Sequence, residues 1–320
     1  MSEVTEQRAQ SAAEAGAGAA ALTELRNKRA RSLWSDAFRQ FRRHRLAMAG
    51  LIVLIIILLA TTLGYPLWGH SYAYFSFSDS YKGVSLAHPM GTDDLGHDAF
   101  ARVLWGGRVS IAVGIVAALV AITLGTLVGA IAGYFGGFTD SLLMRITDMF
   151  ISLPTLPLLL LVIYLFQDSM RHRFGSILGT FILIVFIIGA LNWMPVSRLV
   201  RGSFLSLKEK EFIEAARSMG VSTPSIIFKH ILPNVLSPVI VAATLGVAQA
   251  IITESTLSFL GLGFPPDTPS WGRLLNDGQN FIQIAPLMVI FPGMAIFLTV
   301  LSINYVGDGL RDALDPRRMS

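Results

Sequence analysis

The chain has 320 residues, of which 53% are hydrophobic and only 14% are charged, with a net charge of +4 and no cysteine. Soluble domains typically carry about one quarter charged residues, so this composition excludes an ordinary water-soluble globule and indicates a membrane protein. The lack of cysteine excludes disulfides, thiolate metal sites and cysteine catalysis.

The chain begins with a polar, basic segment, residues 1–45. Residues 1–31 hold too few large apolar side chains to offset the entropy of the chain, so we predict a disordered or loosely helical tail. The segment is too long for the n-region of a cleaved signal peptide. The apolar spacing from Leu33 to Phe41 predicts an amphipathic helix. This helix either lies on an anionic membrane surface or provides a positive flank that orients the next segment.

Six long runs that are nearly free of charge predict six membrane-spanning helices. The first run, Leu46–Leu63, is about 27 Å long as a helix, which is enough to cross a bilayer core. Spanning backbone must pair its polar groups within its own segment, so helices are expected rather than strands. The other predicted spans are Val109–Tyr134, Leu142–Phe166, Ile177–Trp193, Val235–Thr253 and Ile284–Tyr305.

Residues within these spans predict local features. The small-residue spacing of Gly125, Gly129 and Gly133 in the second span suits close helix–helix contact. Pro154 and Pro157 remove backbone donors from the third span and predict a bend there. At the cytoplasmic end of the same span, the i, i+3 spacing of Arg145 and Asp148 predicts a local ion pair.

The distribution of basic residues predicts that both termini lie in the cytoplasm. An even number of spans puts the termini on one side, and this orientation places about nineteen of the 25 Lys and Arg residues in the cytoplasm. The predicted organisation is a tail 1–45, a first span 46–64, an extracytoplasmic loop 65–108, a core 109–305 with a cytoplasmic loop 196–234, and a cytoplasmic C-terminal tail 306–320.

The cytoplasmic loop carries the signals of two helices joined by a sharp turn. Ser203–Met219 contains no Gly or Pro and has an apolar stripe along one face. Gly220 follows at the position where a glycine in the left-handed conformation commonly ends a helix. A second helix, with Pro224 in its first turn, is expected to stop near Pro233. A rigid apolar elbow of this shape suits docking into a cleft on another protein.

The order of residues in this loop resembles the EAA motif of ABC-importer permeases. The matching residues are Glu214, Ala215, Ala216, Gly220, Ile231, Leu232 and Pro233. Other segments are similar to parts of the dipeptide/oligopeptide/nickel permeases, namely Gly91–Gly96, Arg108–Ser110, Gly133–Gly137, Ser258–Gly263, Pro269–Gly272 and Gly307–Asp312. The segment order resembles the C-type member of a permease pair, and the resemblance covers roughly residues 33–317.

The resemblance implies an all-α polytopic membrane protein, the transmembrane domain of a type I ABC importer, with six spans and a cytoplasmic coupling helix–turn–helix. It implies a multi-pass permease of the bacterial inner membrane that moves di- or oligopeptides. The implied partners are a homologous permease, two ATP-binding subunits and an extracytoplasmic peptide-binding protein, and no nucleic acid is expected. ATP and Mg would be bound by the partner subunits, so this chain would hold no cofactor and would not be an enzyme. Dipeptide, oligopeptide, nickel or another solute remain open as the substrate.

Two groups of ionisable residues outside the loop are also candidates for function. Glu254 lies near the outer end of the fifth span and is a candidate for the substrate path, because ionisable groups at membrane depth are often functional. The alternative is an interfacial residue or a partner for Arg102 or Arg108. A second group contains possible metal ligands: His88, Asp93, Asp94, His97 and Asp98. Its spacing is not that of a compact metal motif, so we predict no metal site. The family resemblance implies instead a turn at Gly91–Gly96 and an interfacial helix at Asp98–Arg108.

The main alternative function is a secondary transporter or channel that needs no ATPase. Such proteins usually place ionisable residues at mid-membrane, whereas the span centres here are almost free of charge. A membrane scaffold without transport is a third interpretation, but it leaves the outer-loop segments unexplained. The chain has no Gly-rich phosphate loop with a Lys-Ser/Thr ending, so we expect no ATP binding by that route.

Overall fold

The structure, a computed structural model, describes residues 33–314. The predictions for residues 1–31 and for residues 315–320 lie outside the described residues. The helices are α1 (Leu33–Arg43), α2 (Arg45–Trp68), α3 (Ala99–Phe135), α4 (Gly137–Ser152), α5 (Thr155–Phe174), α6 (Ser176–Lys208), α7 (Glu211–Ser218), α8 (Thr223–Phe259), α9 (Trp271–Gly278) and α10 (Leu287–Leu314).

Five helices, α2, α3, α6, α8 and α10, are long and apolar enough to cross a membrane. The pair α4 and α5 supplies a sixth span if it is counted as one, although its two halves meet at 87°. The all-helical membrane fold is therefore confirmed, but the third predicted span, Leu142–Phe166, is broken rather than merely kinked. Leu153 is extended because it precedes Pro154, and a residue before proline is sterically disfavoured in the helical region.

The helices extend beyond the apolar runs from which they were predicted. α3 begins at Ala99, so the end of the predicted loop 65–108 is helical, and the predicted interfacial helix is the first part of α3 rather than a separate element. α10 runs to Leu314, so the described part of the predicted tail 306–320 is also helical. Hydropathy marks only the lipid-facing part of a helix, and the polar ends continue the same hydrogen-bonded ladder.

The glycines of α3 bring its backbone against α6, as their spacing predicts. A methyl group on Gly125 would lie 2.6 Å from Val196 Cβ, and one on Gly129 would lie 2.8 Å from Val200 Cβ. A methyl group on Gly133 would be equally crowded. Atoms at these distances would overlap, so only glycine permits this close approach of the two helices. The α3–α6 pair is the frame on which the other spans are arranged.

The N-terminal helix α1 packs on the C-terminal end of α10. Side chains from α1, α2 and α10 form one buried apolar cluster: Ala37, Phe41, Ala47, Val306 and Ala313. On the other side of α1, Phe38 is exposed and the guanidinium of Arg42 lies over its ring at 5.9 Å. The amphipathic helix predicted at Leu33–Phe41 is thus present, and the two ends of the described chain lie at the same end of the helix bundle.

The α3–α6 contact can be tested with one substitution at two glycines. Gly129→Ala should lower stability by about 1–3 kcal/mol because its methyl group would overlap Ser197 and Val200. Gly202→Ala is the control, since nothing lies within 4 Å of a methyl group there, and alanine should be neutral or slightly stabilising in a helix. Melting temperatures in detergent measure both. Equal melting temperatures would contradict the proposed backbone contact.

Candidate functional site

The cytoplasmic loop begins with a short helix, α7, that ends in a Schellman motif. The Val221 N–H donates to the Ala216 carbonyl at 3.1 Å, and the Gly220 N–H donates to the Arg217 carbonyl at 2.9 Å. Gly220 has a φ of +76°, the left-handed conformation that residues with a Cβ avoid. The predicted role of Gly220 as the end of the helix is confirmed. The helix predicted over Ser203–Met219 is interrupted, however, because α6 ends at Lys208 and α7 starts at Glu211.

One face of α7 is anchored to the ends of α6 and α8. Ile213 is fully buried and Ala216 almost so. Ile213 belongs to one apolar cluster with Phe204 of α6 and with Ile226 and Ile231 of α8. Because these side chains come from both flanking helices, the elbow is held rigidly to the spans. Ile213 and Ile226 were not among the residues predicted to be functional in this loop, although the apolar spacing of the loop could have indicated that they are buried.

The opposite face of the elbow is apolar and exposed. Phe212 is 47% exposed, Met219 76% and Phe228 61%. The motif residues Glu214 and Ala215 lie on the same exposed side. The Glu214 carboxylate has no hydrogen bond or ion pair with any residue between 33 and 314, so it does not cap the helix locally within this range. Large exposed apolar side chains next to a free carboxylate are typical of a docking surface.

The prediction that the second helix of the loop stops near Pro233 is wrong. Helix α8 continues through Pro233 to Phe259. Just before the proline the turn widens over Ile226–Ile231, and the Leu232 N–H donates to the Ile227 carbonyl five residues back. A proline lacks an N–H and crowds the carbonyl four residues earlier, and a widened turn accommodates such a residue without ending the helix. Among the motif residues here, Ile231 is buried, Leu232 half-buried and Pro233 exposed.

Helix α4 is held to α6 by two ion pairs at the same end of the bundle. Asp140 forms a two-contact ion pair with Arg201, in which the Arg201 Nη2 lies 2.6 Å from Asp140 Oδ2. Asp148 pairs with Arg198. The predicted local pair of Asp148 with Arg145 is therefore wrong, because Asp148 faces α6. Sequence spacing shows only neighbours on one helix, whereas these partners are 50 to 61 residues apart.

At the other end of the bundle, Glu254 is fully buried among hydroxyl groups. Its carboxylate accepts hydrogen bonds from Ser110 Oγ at 2.9 Å and from Ser258 Oγ at 2.7 Å. Ser110 Oγ in turn accepts from the backbone N–H of Trp271 at 3.1 Å, and the indole N–H of Trp271 donates to the Val103 carbonyl at 3.0 Å. Neither Arg102 nor Arg108 bonds to it. Glu254 thus joins α3, α8 and α9, and it does not line the main cavity.

The predicted turn before α3 is stabilised by buried ion pairs. Arg102 lies 2.7 Å from Asp93 and 3.5 Å from Asp277, which connects the two outer loops. Burial alone would raise the pKa of Asp93, but the hydrogen bond from His97 and the charge of Arg102 outweigh it and lower that pKa. Burial and the charge of Asp93 raise the pKa of Asp94.

The remaining possible metal ligands in this turn are also used locally. Asp98 caps α3 by accepting from the Ala101 N–H at 2.7 Å, and its other oxygen lies 2.8 Å from His88 Nδ1. Over the described residues 33–314, no three His, Asp or Glu side chains are grouped as metal ligands. The turn and the start of α3 account for the positions of these acidic and imidazole groups.

A cavity of about 490 Å³ lies between α3, α6 and α8, with one residue contributed by α10. Its lining is mostly small and apolar and has no charged side chain. The polar side chains in it are three carboxamides: Asn192, Gln249 and Asn304. None of the three was predicted as a site residue, although each is a polar residue within a predicted apolar span or at its edge.

Residues 125–320 match the family described as the binding-protein-dependent transport system inner membrane component, and residues 32–89 match the N-terminal transmembrane domain of oligopeptide transport permease C. The chain belongs to this permease family. The dipeptide transport system permease of Alkalihalophilus pseudofirmus is 42% identical, covering 90% of this chain and 91% of the relative. The glutathione transport system permease of Pectobacterium atrosepticum is 41% identical, and the alignment covers 94% of this chain and 97% of the relative. The oligopeptide transport system permease of Haemophilus influenzae is 43% identical, with 90% of this chain and 89% of the relative covered.

Solved structures of the MetNI methionine ABC transporter, in inward-facing conformations, share the fold of this permease. One has a TM-score of 0.51 at 18% identity and another a TM-score of 0.50 at 20% identity, and each alignment covers 67% of this chain and 96% of the other. The structural likeness shows the fold, and the family match with its relatives shows that the chain is a transmembrane permease of a binding-protein-dependent ABC importer. This confirms the fold class and the transport function that the motif predicted.

The ion pairs of the permease's outer loop should make its stability depend on pH. Asp93→Asn should cost on the order of 3 kcal/mol at neutral pH because it weakens the pairing of a buried Arg102. The folded-state pKa of Asp93 is below its ordinary value of 3.8, so its contribution is complete above that value and is lost as the pH falls through the lower folded-state pKa. Melting curves from pH 7 downward should show wild type and variant converging at acidic pH.

The neighbouring carboxyl provides the control for this experiment. Asp94 has a raised pKa, so Asp94→Asn should leave the melting temperature unchanged or raise it slightly at neutral pH. A similar loss of stability in both variants would show that the loop responds to any lost charge and not to the Asp93–Arg102 pair.

Two substitutions of the buried Glu254 distinguish a structural role of this residue from a role in the substrate path. Glu254→Gln keeps one oxygen that accepts from one serine hydroxyl, and its amide N–H can donate to the oxygen of the other, so it should preserve most of the melting temperature and uptake. Glu254→Leu leaves the hydroxyls of Ser110 and Ser258 buried without an acceptor and should cost about 1–3 kcal/mol for each. If Glu254→Gln abolished uptake with an unchanged melting temperature, the charge itself would serve transport, and the substrate-path interpretation would hold.

Proposed function

We propose that this permease imports peptides by pairing with a homologous permease above two ATP-binding subunits. An extracytoplasmic peptide-binding protein would deliver the substrate to the outer face. The peptide class is supported by the names of the relatives, which transport dipeptides, glutathione or oligopeptides. In this proposal the elbow that carries the seven motif residues is the contact through which the ATP-binding subunits drive the spans. Glu214, Ala215 and Gly220 are on its exposed side, whereas Ala216 and Ile231 pack inward.

The observation that carries the proposal is the two-sided elbow. Its inner face is fixed to the ends of α6 and α8 by Ile213, Ile226 and Ile231. On its outer face Phe212 and Met219 are exposed at the end of the helix bundle, where a partner protein could contact them. An exposed apolar patch on a rigid support is suited to filling a groove on a partner protein. A partner that closes on this patch would displace α6 and α8 together.

The same arrangement, together with the distribution of basic residues, supports our proposal for the orientation. The ends of the described chain lie beside each other, where α1 packs on α10, and the elbow with its basic residues would face the cytoplasm. We therefore assign the permease to the bacterial inner membrane, with both termini cytoplasmic. ATP and Mg would be held by the ATP-binding subunits, and this chain would contribute no catalytic residue and no cofactor site.

The proposed cycle needs a coupling that differs between two states. Closure of the ATP-binding subunits on ATP would draw the elbow inward, and their opening after hydrolysis would release it. Because the elbow and the spans share one buried cluster, the pathway would change from inward-facing to outward-facing with the same movement. The energetic requirement is only that the ATP-binding subunits contact the elbow differently in the two states.

Gly220 provides the test of this coupling. A methyl group on Gly220 would have nothing within 4 Å, so a substitution there acts through the backbone alone. Gly220→Val should distort the turn, because a β-branched residue disfavours positive φ, at a cost of about 1–2 kcal/mol. We expect ATP-dependent peptide uptake by the reconstituted complex to collapse. Gly220→Asn is the matched control, since asparagine tolerates the left-handed conformation, and it should retain most uptake.

Two further measurements complete this experiment: co-purification of the complex and the dependence of uptake on the ATP-binding subunits. Co-purification with the ATP-binding subunits should persist in the asparagine variant and weaken in the valine variant. Equal uptake by the valine variant would make the elbow merely structural. Uptake that continues without any ATP-binding subunit would instead favour a secondary transporter or channel.

A further inference from the structure

The main cavity of the permease presents hydrogen-bonding groups without charge. Small side chains from α3 and α8 make up much of its wall: Ala117, Ala118, Ala121, Ala242, Ala248 and Ala250. Against this apolar wall stand the carboxamides of Asn192 on α6, Gln249 on α8 and Asn304 on α10. Three different helices thus direct the same chemical group to one space.

These carboxamides lie at membrane depth. Gln249 is about 15 Å along α8 from its outer end at Phe259. Asn192 and Asn304 lie about 24 Å and about 26 Å along α6 and α10 from the outer ends of those helices. At such depths a polar group without a partner is costly, so it must meet another polar group or water.

Their hydrogen-bonding capacity is largely unused. Within the described residues 33–314, the side chains of Gln249 and Asn304 make no hydrogen bond. The Asn192 amide donates once, to the Ile188 carbonyl on its own helix at 2.8 Å, which leaves its carbonyl oxygen without a donor. These unpaired amide groups are therefore available to a polar occupant of the cavity.

The chemistry of the lining indicates which occupant fits. A carboxamide both donates and accepts, as does the main-chain amide of a peptide, and it is indifferent to the side chains that the peptide carries. Because the lining carries no charge, it does not hold back peptides that have acidic or basic side chains. A dehydrated transition-metal ion would find no imidazole, thiolate or carboxylate there.

We propose that Asn192, Gln249 and Asn304 form a transient binding surface for the main-chain amides of a peptide within the translocation cavity. This inference rests on the proposed function as a peptide importer and names the groups that touch the substrate. Neutral hydrogen bonds that form and break one at a time assist passage without retaining the peptide. The surface is therefore selective for the amide backbone and permissive for sequence and net charge.

The first experiment removes the amides without changing their size. Gln249→Met and Asn304→Leu are introduced singly and together in the complete complex, and uptake of labelled trialanine, glutathione and Ni²⁺ is measured over a range of binding-protein concentrations up to saturation. The maximal rate of peptide uptake should fall threefold to tenfold for each substitution. The concentration of loaded binding protein at half-maximal rate should not change, because that step precedes entry to the cavity. Ile56→Met, an exposed α2 position outside the cavity, is the control and should match wild type.

Each alternative result has a distinct meaning. Variants that assemble and transport peptides at the wild-type rate would overturn the proposed surface while leaving the importer function intact. Variants that no longer co-purify with the second permease would assign the amides to the contact between permeases and would also overturn it. If wild-type complex takes up Ni²⁺ but neither peptide, the peptide function fails and this inference fails with it.

A second measurement uses the absence of cysteine from the chain. Gln249→Cys and Asn304→Cys each provide a unique thiol, whose modification by a water-soluble thiosulfonate is followed on this chain by mass spectrometry. We expect modification in the assembled complex, slowed at least threefold when trialanine and its binding protein are present during turnover. A thiol that never reacts, or that reacts equally with and without the peptide, would contradict a peptide contact.

Discussion

The direct backbone contact between α3 and α6 is the constraint on which the cavity and the elbow both depend. Gly125 and Gly129 allow the two helices to approach until their main chains nearly touch. One stretch of this pair lines the cavity through Ala121 and Asn192. Below it, Phe204 packs beside Gly133 and continues into the cluster that holds the elbow. A contact made by backbone atoms cannot be repacked by rotamer changes, so the geometry of both features is set together.

The two ends of the permease are held by different chemistry. The cytoplasmic end combines an apolar cluster around Ile213 with half-exposed ion pairs such as Asp140 with Arg201. The outer end depends on buried polar groups, where Glu254 and Arg102 are each surrounded by specific partners. Apolar packing tolerates small displacements, whereas a buried hydrogen-bonded charge is costly to disturb. The two ends therefore lose stability through different changes: loss of apolar packing at the end that carries the elbow, and loss of a polar partner at the opposite end.

Much of the architecture could be predicted from sequence because a membrane-spanning segment must be long and nearly free of charge. The uncharged runs located the spans, the glycine spacing indicated a close helix contact on α3 but not that α6 is its partner, and Gly220 located the sharp turn. Contacts between distant segments could not be derived in this way. The partner of Asp148, the hydroxyls around Glu254 and the continuation of α8 through Pro233 all depend on which helix faces meet. A single sequence records the periodicity of each helix but not its rotation against its neighbours.

The unbroken course of α8 has a mechanical consequence. Thr223–Phe259 has 37 residues, so it is about 55 Å long and joins the elbow to the outer surface in one element. A rod of that length amplifies motion: if it pivots by about 10° at its cytoplasmic end, its outer end moves by about 10 Å. That distance is comparable to the width of a peptide. A slight movement imposed at the elbow would thus be carried to the far end of α8, because the helix has no break between them.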